Sequence, residues 1–352
     1  MPKVVVALSG GVDSSVAALL LTQKQFDVHG ITIRLWSESG CEQENRCCTP
    51  KTRQIAARLA RKLGIPFEIL DGEDRFYGQV VKSFIAGYTK GTTPHPCIIC
   101  NQQIKWAFLL SYAERIGADF VATGHYARVV KRPNNQYELW KGVDRSKDQS
   151  YVLCRLTQDV LRHTLFPLGA LMKEEVWKIA QDSNLPSSDQ PESQDLCFLG
   201  NKDHQTFLLN HAPQTYRPGQ VINRKGQLLG EHKGLAFYTI GQRKGLPSAP
   251  RALYVLEKRI EDNILVVGFQ EELGKKELSA ISCHWIAGIR PEKPFEAQIK
   301  IRSKAQAVRA WITPGKHGEL SASFSQSLRD ITPGQTAVIY DDEKVIGCGI
   351  IH

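Results

Sequence analysis

The sequence predicts an α/β protein: a doubly wound parallel sheet at the N-terminus, then a small central β domain and a C-terminal β-barrel. Three observations carry this expectation. Short apolar runs alternate with helical patterns over the first 200 residues or so. A glycine-rich turn follows the first apolar run at Ser9-Gly10-Gly11. Beyond residue 203, turn signals such as Arg217-Pro218-Gly219, Lys225-Gly226, Pro314-Gly315 and Pro333-Gly334 separate short β-branched runs.

The elements follow in order. Residues 4–8 are apolar throughout and read as a buried strand, and 16–21 as helix. Residues 27–35 read as a second strand; Thr49-Pro50 caps a helix that Gly64 ends. A third strand is expected at 66–70, helices at 73–88 and 101–116, and a short buried strand at 119–122 that stops at Thr123-Gly124-His125. Arg132-Pro133-Asn134-Asn135 is the turn of a hairpin projecting from the sheet domain, with 137–140 as its return strand. Helix resumes at 173–183, and 186–199, rich in Ser, Asp and Pro, reads as loop. The expected domains are 1–202, 203–272 and 273–352, the last a barrel that contacts RNA. In a doubly wound sheet ligands gather beyond the carboxyl ends of the strands, where the Ser9 loop, the end of the second strand and Gly124 meet.

Composition narrows the partners. With 42% hydrophobic and 23% charged residues the chain has the balance of a soluble globular protein, and no apolar run approaches the roughly 18 residues of a membrane span. Met1-Pro2-Lys3-Val4 opens a strand and not a signal peptide, so a cytoplasmic location without a membrane partner is expected. A net charge of +9, spread along the chain, favours a polyanion, with nucleic acid first. The nine cysteines, at 41, 47, 48, 97, 100, 154, 197, 283 and 348, are odd in number, which argues for thiol chemistry or metal binding over a disulfide framework. Cys283 and Cys348 lie in apolar, strand-like sequence and read as buried, inert thiols.

The chemistry starts at Ser9-Gly10-Gly11-Val12-Asp13-Ser14-Ser15, between strand and helix. Its glycines allow close backbone approach, so successive N–H groups can ring an anion at a helix N-terminus. This phosphate-binding turn has no lysine, and no G-x-x-x-x-G-K-[S/T] stretch exists elsewhere in the chain. Thr93-Pro94-His95-Pro96-Cys97-Ile98-Ile99-Cys100-Asn101 presents Cys100 at the start of a helix, where a thiol is expected to ionise more readily. A second cysteine site, Ser193-Gln194-Asp195-Leu196-Cys197-Phe198, lies on the loop before the β region. Tyr238 to Gly245, which includes Gln242, Arg243 and Lys244, mixes an aromatic, glycines and cations suited to phosphate and base contact. Lys300, Arg302 and Lys304 alternate on a strand-like stretch with Arg309 beyond; a solvated face is as compatible with them as RNA contact.

The S-G-G-V-D-S loop resembles the pyrophosphate loop of N-type ATP pyrophosphatases, whose fold is adenine nucleotide alpha-hydrolase-like. Taken in order, S-G-G-V-D-S, T-P-x-P-x-x-x-C-N, T-G-H-Y-A-R, K-D-Q-S-Y, S-Q-D-x-C-F and G-Q-R-K-G-L resemble the tRNA-specific 2-thiouridylases of bacteria and organelles, from residue 3 to about 350. The resemblance implies an ATP-dependent sulfurtransferase that makes 2-thiouridine at the wobble position of tRNAs for Lys, Glu and Gln. ATP with Mg2+ would be held by Ala7, Leu8, Ser9, Gly10, Gly11, Val12, Asp13, Ser14, Ile33 and Gly124. Cys197 would receive sulfur as a persulfide from a cysteine desulfurase or a sulfur-relay carrier, and Cys100 would be the partner nucleophile, leaving a Cys100–Cys197 disulfide. By the same resemblance Lys147, Asp148, Gln149, Arg302 and Ser303 match tRNA-contacting positions, Arg243 joins them, and the loop of His95, Pro96 and Cys97 is the place for the target base.

One departure stands out. The common family loop reads T-P-N-P-D-x-x-C-N, whereas this chain has His95 for Asn and Cys97 for Asp. The change removes an acid or base beside Cys100 and leaves a C-x-x-C pair, so Cys97, Cys100 and Cys197 could instead hold an iron-sulfur cluster that carries sulfide. The persulfide route and the cluster route both stay open on sequence, with the persulfide preferred.

Overall fold

The computed structural model describes residues 1–38, 49–188, 190, 196–200 and 202–352. Cys41, Cys47, Cys48 and Ser193-Gln194-Asp195 lie outside them. Val4, Val5 and Val6 are fully buried because β1 (Lys3–Ala7) is the central strand of a five-stranded sheet. From it α1 (Val12–Gln23) leads to β2 (Asp27–Arg34), and α2 (Pro50–Leu63) to β3 (Phe67–Asp71). Helices α3 (73–89) and α4 (96–116), each interrupted by one π-helical turn, lead to β4 (Phe120–Ala122). A hairpin of β5 (Ala127–Lys131) and β6 (Tyr137–Lys141) follows, then α5 (Gln158–Arg162), β7 (Thr164–Leu165) and α6 (Lys173–Asp182). The sheet runs β3-β2-β1-β4-β7 with every neighbour parallel, the doubly wound arrangement expected. The order in which strands are added to the sheet reverses between β1 and β4. α2 begins and ends on its sequence signals: Thr49 Oγ1 accepts from the Thr52 N–H at 3.0 Å, Pro50 takes the first helical position, and Gly64 closes it at φ 66°.

The middle of the chain opens with α7 (His204–His211), a helix that its mostly β texture did not announce. A four-stranded sheet of order β10-β11-β8-β9 follows, from β8 (Gly219–Asn223), β9 (Leu228–His232), β10 (Tyr254–Arg259) and β11 (Ile264–Gly268). Then β12 (Lys275–Trp285), β13 (Phe295–Lys300), β14 (Val308–Pro314), β15 (Leu320–Leu328), β16 (Thr336–Asp341) and β17 (Lys344–Ile351) pair in the cycle β12-β15-β14-β13-β16-β17, which β12–β17 pairing closes into a six-stranded barrel. Closure leaves no open edge within the ring.

The structure corrects two details of the sequence reading. The β5–β6 hairpin does not merely project: β6 pairs with β17 (Lys344↔Trp140, Val345↔Leu139), so the nucleotide-type domain adds two strands to the barrel sheet. Leu139, Val338, Tyr340 and Cys348 consequently share one core with Trp106 and Val121. The alternating face of Lys300, Arg302 and Lys304 does not form either. β13 ends at Lys300, and the chain turns at 301–305 because the Arg302 guanidinium is drawn to the Ile240 carbonyl (3.0 Å) and the Thr332 hydroxyl (2.6 Å).

Leu139 is fully buried at the seam between domain and barrel. Leu139→Ala is expected to lower unfolding free energy by about 2–5 kcal/mol, the usual cost of a core cavity; denaturant melts of both proteins measure it, and a loss under about 0.5 kcal/mol would disprove the shared core.

Candidate active site

The phosphate loop organises itself. Ser14 Oγ accepts from the Ser9 N–H (3.1 Å) and donates to the Gly11 carbonyl (3.1 Å), while Ser15 Oγ donates to the same carbonyl at 2.9 Å. Gly11 is the N-cap of α1 and offers no side-chain cap, so the first N–H groups of the helix face the loop without one. Gly10 sits at φ +79°, and a Cβ there would lie 2.2 Å from the Thr52 carbonyl in the first turn of α2. Across the sheet's reversal point, a Cβ on Gly124 would lie 2.7 Å from backbone atoms of Asp13 and Ser14. These two glycines let the loops after β1 and β4 close against each other and against α2. The pocket they shape is where such sheets bind ligands.

The missing lysine of the loop arrives from far along the chain. Lys173 Nζ lies 2.7 Å from Asp13 Oδ1, which also accepts from the Tyr126 hydroxyl at 2.8 Å. Lys173 is buried, is the first residue of α6, and its N–H donates to Asp144 Oδ2 at 2.9 Å. A cation in a helix's first turn opposes the macrodipole, and that misplacement was the sequence signal that could have singled it out. Burial would raise the Asp144 carboxyl, but the Ser146 hydroxyl and the N–H groups of Lys173, Ser146 and Lys147 outweigh it and hold it below its usual range.

A cavity of about 390 Å³ extends from this loop, within the range of small-molecule sites. Ala7, Leu8, Ser9, Gly11, Val12, Asp13 and Ile33 line one end, while Pro96, Cys97, Cys100 and Cys197 line it too, with Lys105, Tyr126, Lys147, Gln149, Lys173 and Trp177. The two cysteine sites singled out in the sequence therefore open into the same space as the phosphate loop. Gly10, Ser14 and Gly124 shape the loop from behind.

α4 starts at Pro96, five residues earlier than expected, so Cys97 lies in its first turn and Cys100 begins the next. Proline at the first helical position sets this start, since its missing N–H would be unsatisfied there anyway. The π-helical turn 101–105 follows Cys100 at once. Its extra residue makes Lys105 stack below Cys100 as an i+4 neighbour would, and Cys97, Cys100 and Lys105 share the cavity face. Cys100 is buried in an apolar cluster with Phe76, Val80 and Phe198, and Cys197 packs against that cluster from a short 3₁₀ turn, Cys197–Leu199. Among the described residues no group of three His, Cys, Asp or Glu side chains stands close enough to hold a metal ion. Cys97 and Cys100 share one helix while Cys197 approaches on a separate turn, and all three line the cavity.

The remaining sequence candidates divide. Lys147 and Gln149 line the cavity, and Gln149 Oε1 accepts from the Tyr126 N–H at 3.0 Å. Asp148 turns into its own loop, accepting from the N–H groups of Gly142 and Ser150 (3.1 Å each) and the Ser150 hydroxyl (3.0 Å). Arg302 bridges barrel and central domain as described, with Ser303 exposed beside it; Arg243 is exposed on the loop before β10. His95 precedes α4 with its ring 5.4 Å from Tyr151 and its Nδ1 buried without a hydrogen-bond partner among the described residues. Cys348 is buried, as expected, and so is Cys154, whereas Cys283, expected to be buried too, is half-buried at the β12 bulge. No helix among the described residues is long and apolar enough to cross a membrane.

Fold and cavity together define a nucleotide-type α/β domain whose phosphate loop faces thiols, joined to a small β domain and a barrel. Residues 2–201 match the family described as tRNA methyl transferase HUP domain, 205–269 its PRC-barrel domain, and 275–351 the aminomethyltransferase beta-barrel domain. The chain is 43% identical to the tRNA-specific 2-thiouridylase MnmA of Natranaerobius thermophilus, over 99% of this chain and 97% of that one. It is 41% identical to the MnmA of Clostridium perfringens, over 99% and 98%. Among solved structures it is similar to NMN synthetase from Francisella tularensis at 18% identity and TM-score 0.35, covering 58% of this chain and 71% of that one. The chain belongs to the tRNA-specific 2-thiouridylase family, as its six motifs implied.

Burial lowers the pKa of His95, His125, His204, His232 and His284, that of His125 well below 6.5 with Lys105 nearby adding to the effect. These rings take up protons less readily in the folded protein than in the unfolded chain, which does so below about pH 6.5, so their contribution to stability is full above that pH and falls as pH drops through it. Urea midpoints at pH 7.5 and 5.5 check this: a lower midpoint at pH 5.5 is expected, and an equal or higher one contradicts it.

Proposed function

We propose that the chain converts a wobble-position uridine of tRNA to 2-thiouridine at the expense of ATP, with sulfur carried by Cys197. The observation that carries this reading is that Cys100, Cys197 and the phosphate loop line one cavity. The family models are described as methyl transferases, whereas the curated relatives are named thiouridylases; two cysteines facing the loop favour sulfur over methyl transfer.

The chemistry needs these parts in sequence. A uracil C2 carbonyl is a poor electrophile with oxide as its leaving group. Attack of O2 on the ATP α-phosphate releases pyrophosphate and leaves AMP on O2, a competent leaving group. The α1 N-terminus and Lys173 are placed to meet the pyrophosphate's negative charge. Mg2+ bound with the phosphates would neutralise further charge, and Asp13 is the carboxylate that lines the cavity to meet it. The terminal sulfur of a Cys197 persulfide then attacks C2 and AMP departs. The Cys100 thiolate attacks the Cys197 sulfur, the S–S bond breaks towards the base, and a Cys100–Cys197 disulfide and thiolated base result. A dithiol reductant restores the enzyme, and a desulfurase or relay carrier reloads Cys197. His95, Pro96 and Cys97 at the head of α4, with Lys147 and Gln149, are the proposed receivers of a base taken out of its stack. Arg243, Arg302 and Ser303 are proposed backbone contacts on the β domains, and tRNAs for Lys, Glu and Gln the acceptors.

Cys100→Ser and Cys197→Ser are each expected to reduce 2-thiouridine formation below about 1% of wild type while tRNA-dependent pyrophosphate release stays within about threefold. Both assays use substrate tRNA with ATP and a persulfide donor, and thiolation surviving in both variants would sink the reading. Lys173→Met is expected to act on the other half, slowing pyrophosphate release about a hundredfold, which a radiolabelled-ATP assay resolves.

A further inference from the structure

The turn that carries Cys197 is held by two contacts, and one of them comes from an element of the nucleotide side of the cavity. Within the turn Phe198 sits in an aromatic cluster, 5.2 Å from Phe84, 5.9 Å from Phe76 and 5.5 Å from Phe207. Just beyond it Lys202 Nζ reaches Glu38 Oε2 at 2.7 Å. The other oxygen of Glu38 accepts from Asn210 Nδ2 at 3.2 Å and lies 3.5 Å from His211 Nε2, both on α7. Two residues before Glu38, Trp36 packs 5.1 Å from Tyr77 and 5.7 Å from His211. Ile33 and Leu35, immediately upstream, line the cavity.

We propose that Glu38 is a positioning residue for sulfur transfer: the extension of β2 past the nucleotide end of the cavity ends in a carboxylate that ties down the Cys197 turn and α7, holding the Cys197 sulfur in the cavity. The geometry explains why a carboxylate stands there. Its two charged acceptor oxygens, pointing in different directions, meet cationic and amide donors from two separate segments. Burial works against the charge on Glu38, but hydrogen bonds from Lys202 and Asn210 and the charges of Lys202 and His211 outweigh it and hold the carboxyl below its usual range. A charge-assisted contact of this kind restrains a short turn more than it stabilises the whole fold. The thiols on α4 owe nothing to it, since helix and π-turn hydrogen bonds place them.

The test reads position before it reads activity. Intact protein is treated with limiting iodoacetamide and the alkylation rate of each cysteine is followed by peptide mass spectrometry. Glu38→Ala and the milder Glu38→Gln are expected to speed Cys197 alkylation by about tenfold and a few fold respectively. Cys154 and Cys348, buried elsewhere, should keep their wild-type rates. Exchanging the charges, Glu38→Lys with Lys202→Glu, restores the contact to the turn and not the one to α7, and should recover only part of the wild-type Cys197 rate. A Cys197 rate within twofold of wild type in both single variants, or parallel acceleration at Cys154 and Cys348, overturns the proposal. The functional consequence rests on the reading above: in Glu38→Ala, pyrophosphate release should hold while 2-thiouridine formation falls about tenfold. If the wild type itself releases pyrophosphate without thiolating tRNA, the proposed function fails, and the alkylation rates still decide the role of Glu38.

Discussion

The backbone of the Gly124 loop lies against the first turn of α1, and the rest of the site depends on that approach. With a Cβ 2.7 Å from Asp13 and Ser14 backbone atoms, no other residue fits without moving one of the two loops. The approach brings Tyr126, two residues on, to Asp13, and leaves that carboxylate available to Lys173. Hydrogen bonds to charged groups contribute about 1.5–3 kcal/mol each, enough to hold a loop of small residues that packs few apolar atoms of its own. The phosphate turn is thus shaped by glycines on two sides and fastened through one aspartate.

The sulfur end of the cavity is built on a different principle. Cys100 and Phe198 belong to an apolar cluster that also takes in Phe84, Phe207 and Tyr238, from both the first and the central domain. Burial of aromatic rings places the Cys197 turn, and polar contacts such as Lys202 with Glu38 trim its position. The central domain is therefore part of the wall behind the thiols.

The barrel is attached through shared structure. Pairing of β6 with β17 and a common core around Leu139 and Tyr340 make the barrel an extension of the first domain's hairpin. Arg302, through Ile240 and Thr332, closes the third side between barrel and central domain. Any RNA surface spread over the three parts is consequently held at fixed spacing from the cavity.

Local sequence determined the elements and the chemical vocabulary. Periodicity, Thr49-Pro50 and Gly64 set α2, apolar runs set the parallel strands, and the glycines of the phosphate turn announced an anion site, because these are effects of near neighbours along the chain. The order of six short motifs also made the family legible. Tertiary structure decided what lies between distant residues. It supplied Lys173 to a loop without a lysine, moved the start of α4 to Pro96, gave Lys105 its place through a π-helical turn, and turned Asp148 and Arg302 to loop and domain contacts. It also put Cys100 and Cys197 on one cavity without gathering three described ligands for a metal. Such outcomes depend on the packing of whole layers, where a side chain's partner is chosen by shape and charge across the fold and leaves little trace in its own neighbourhood of the sequence.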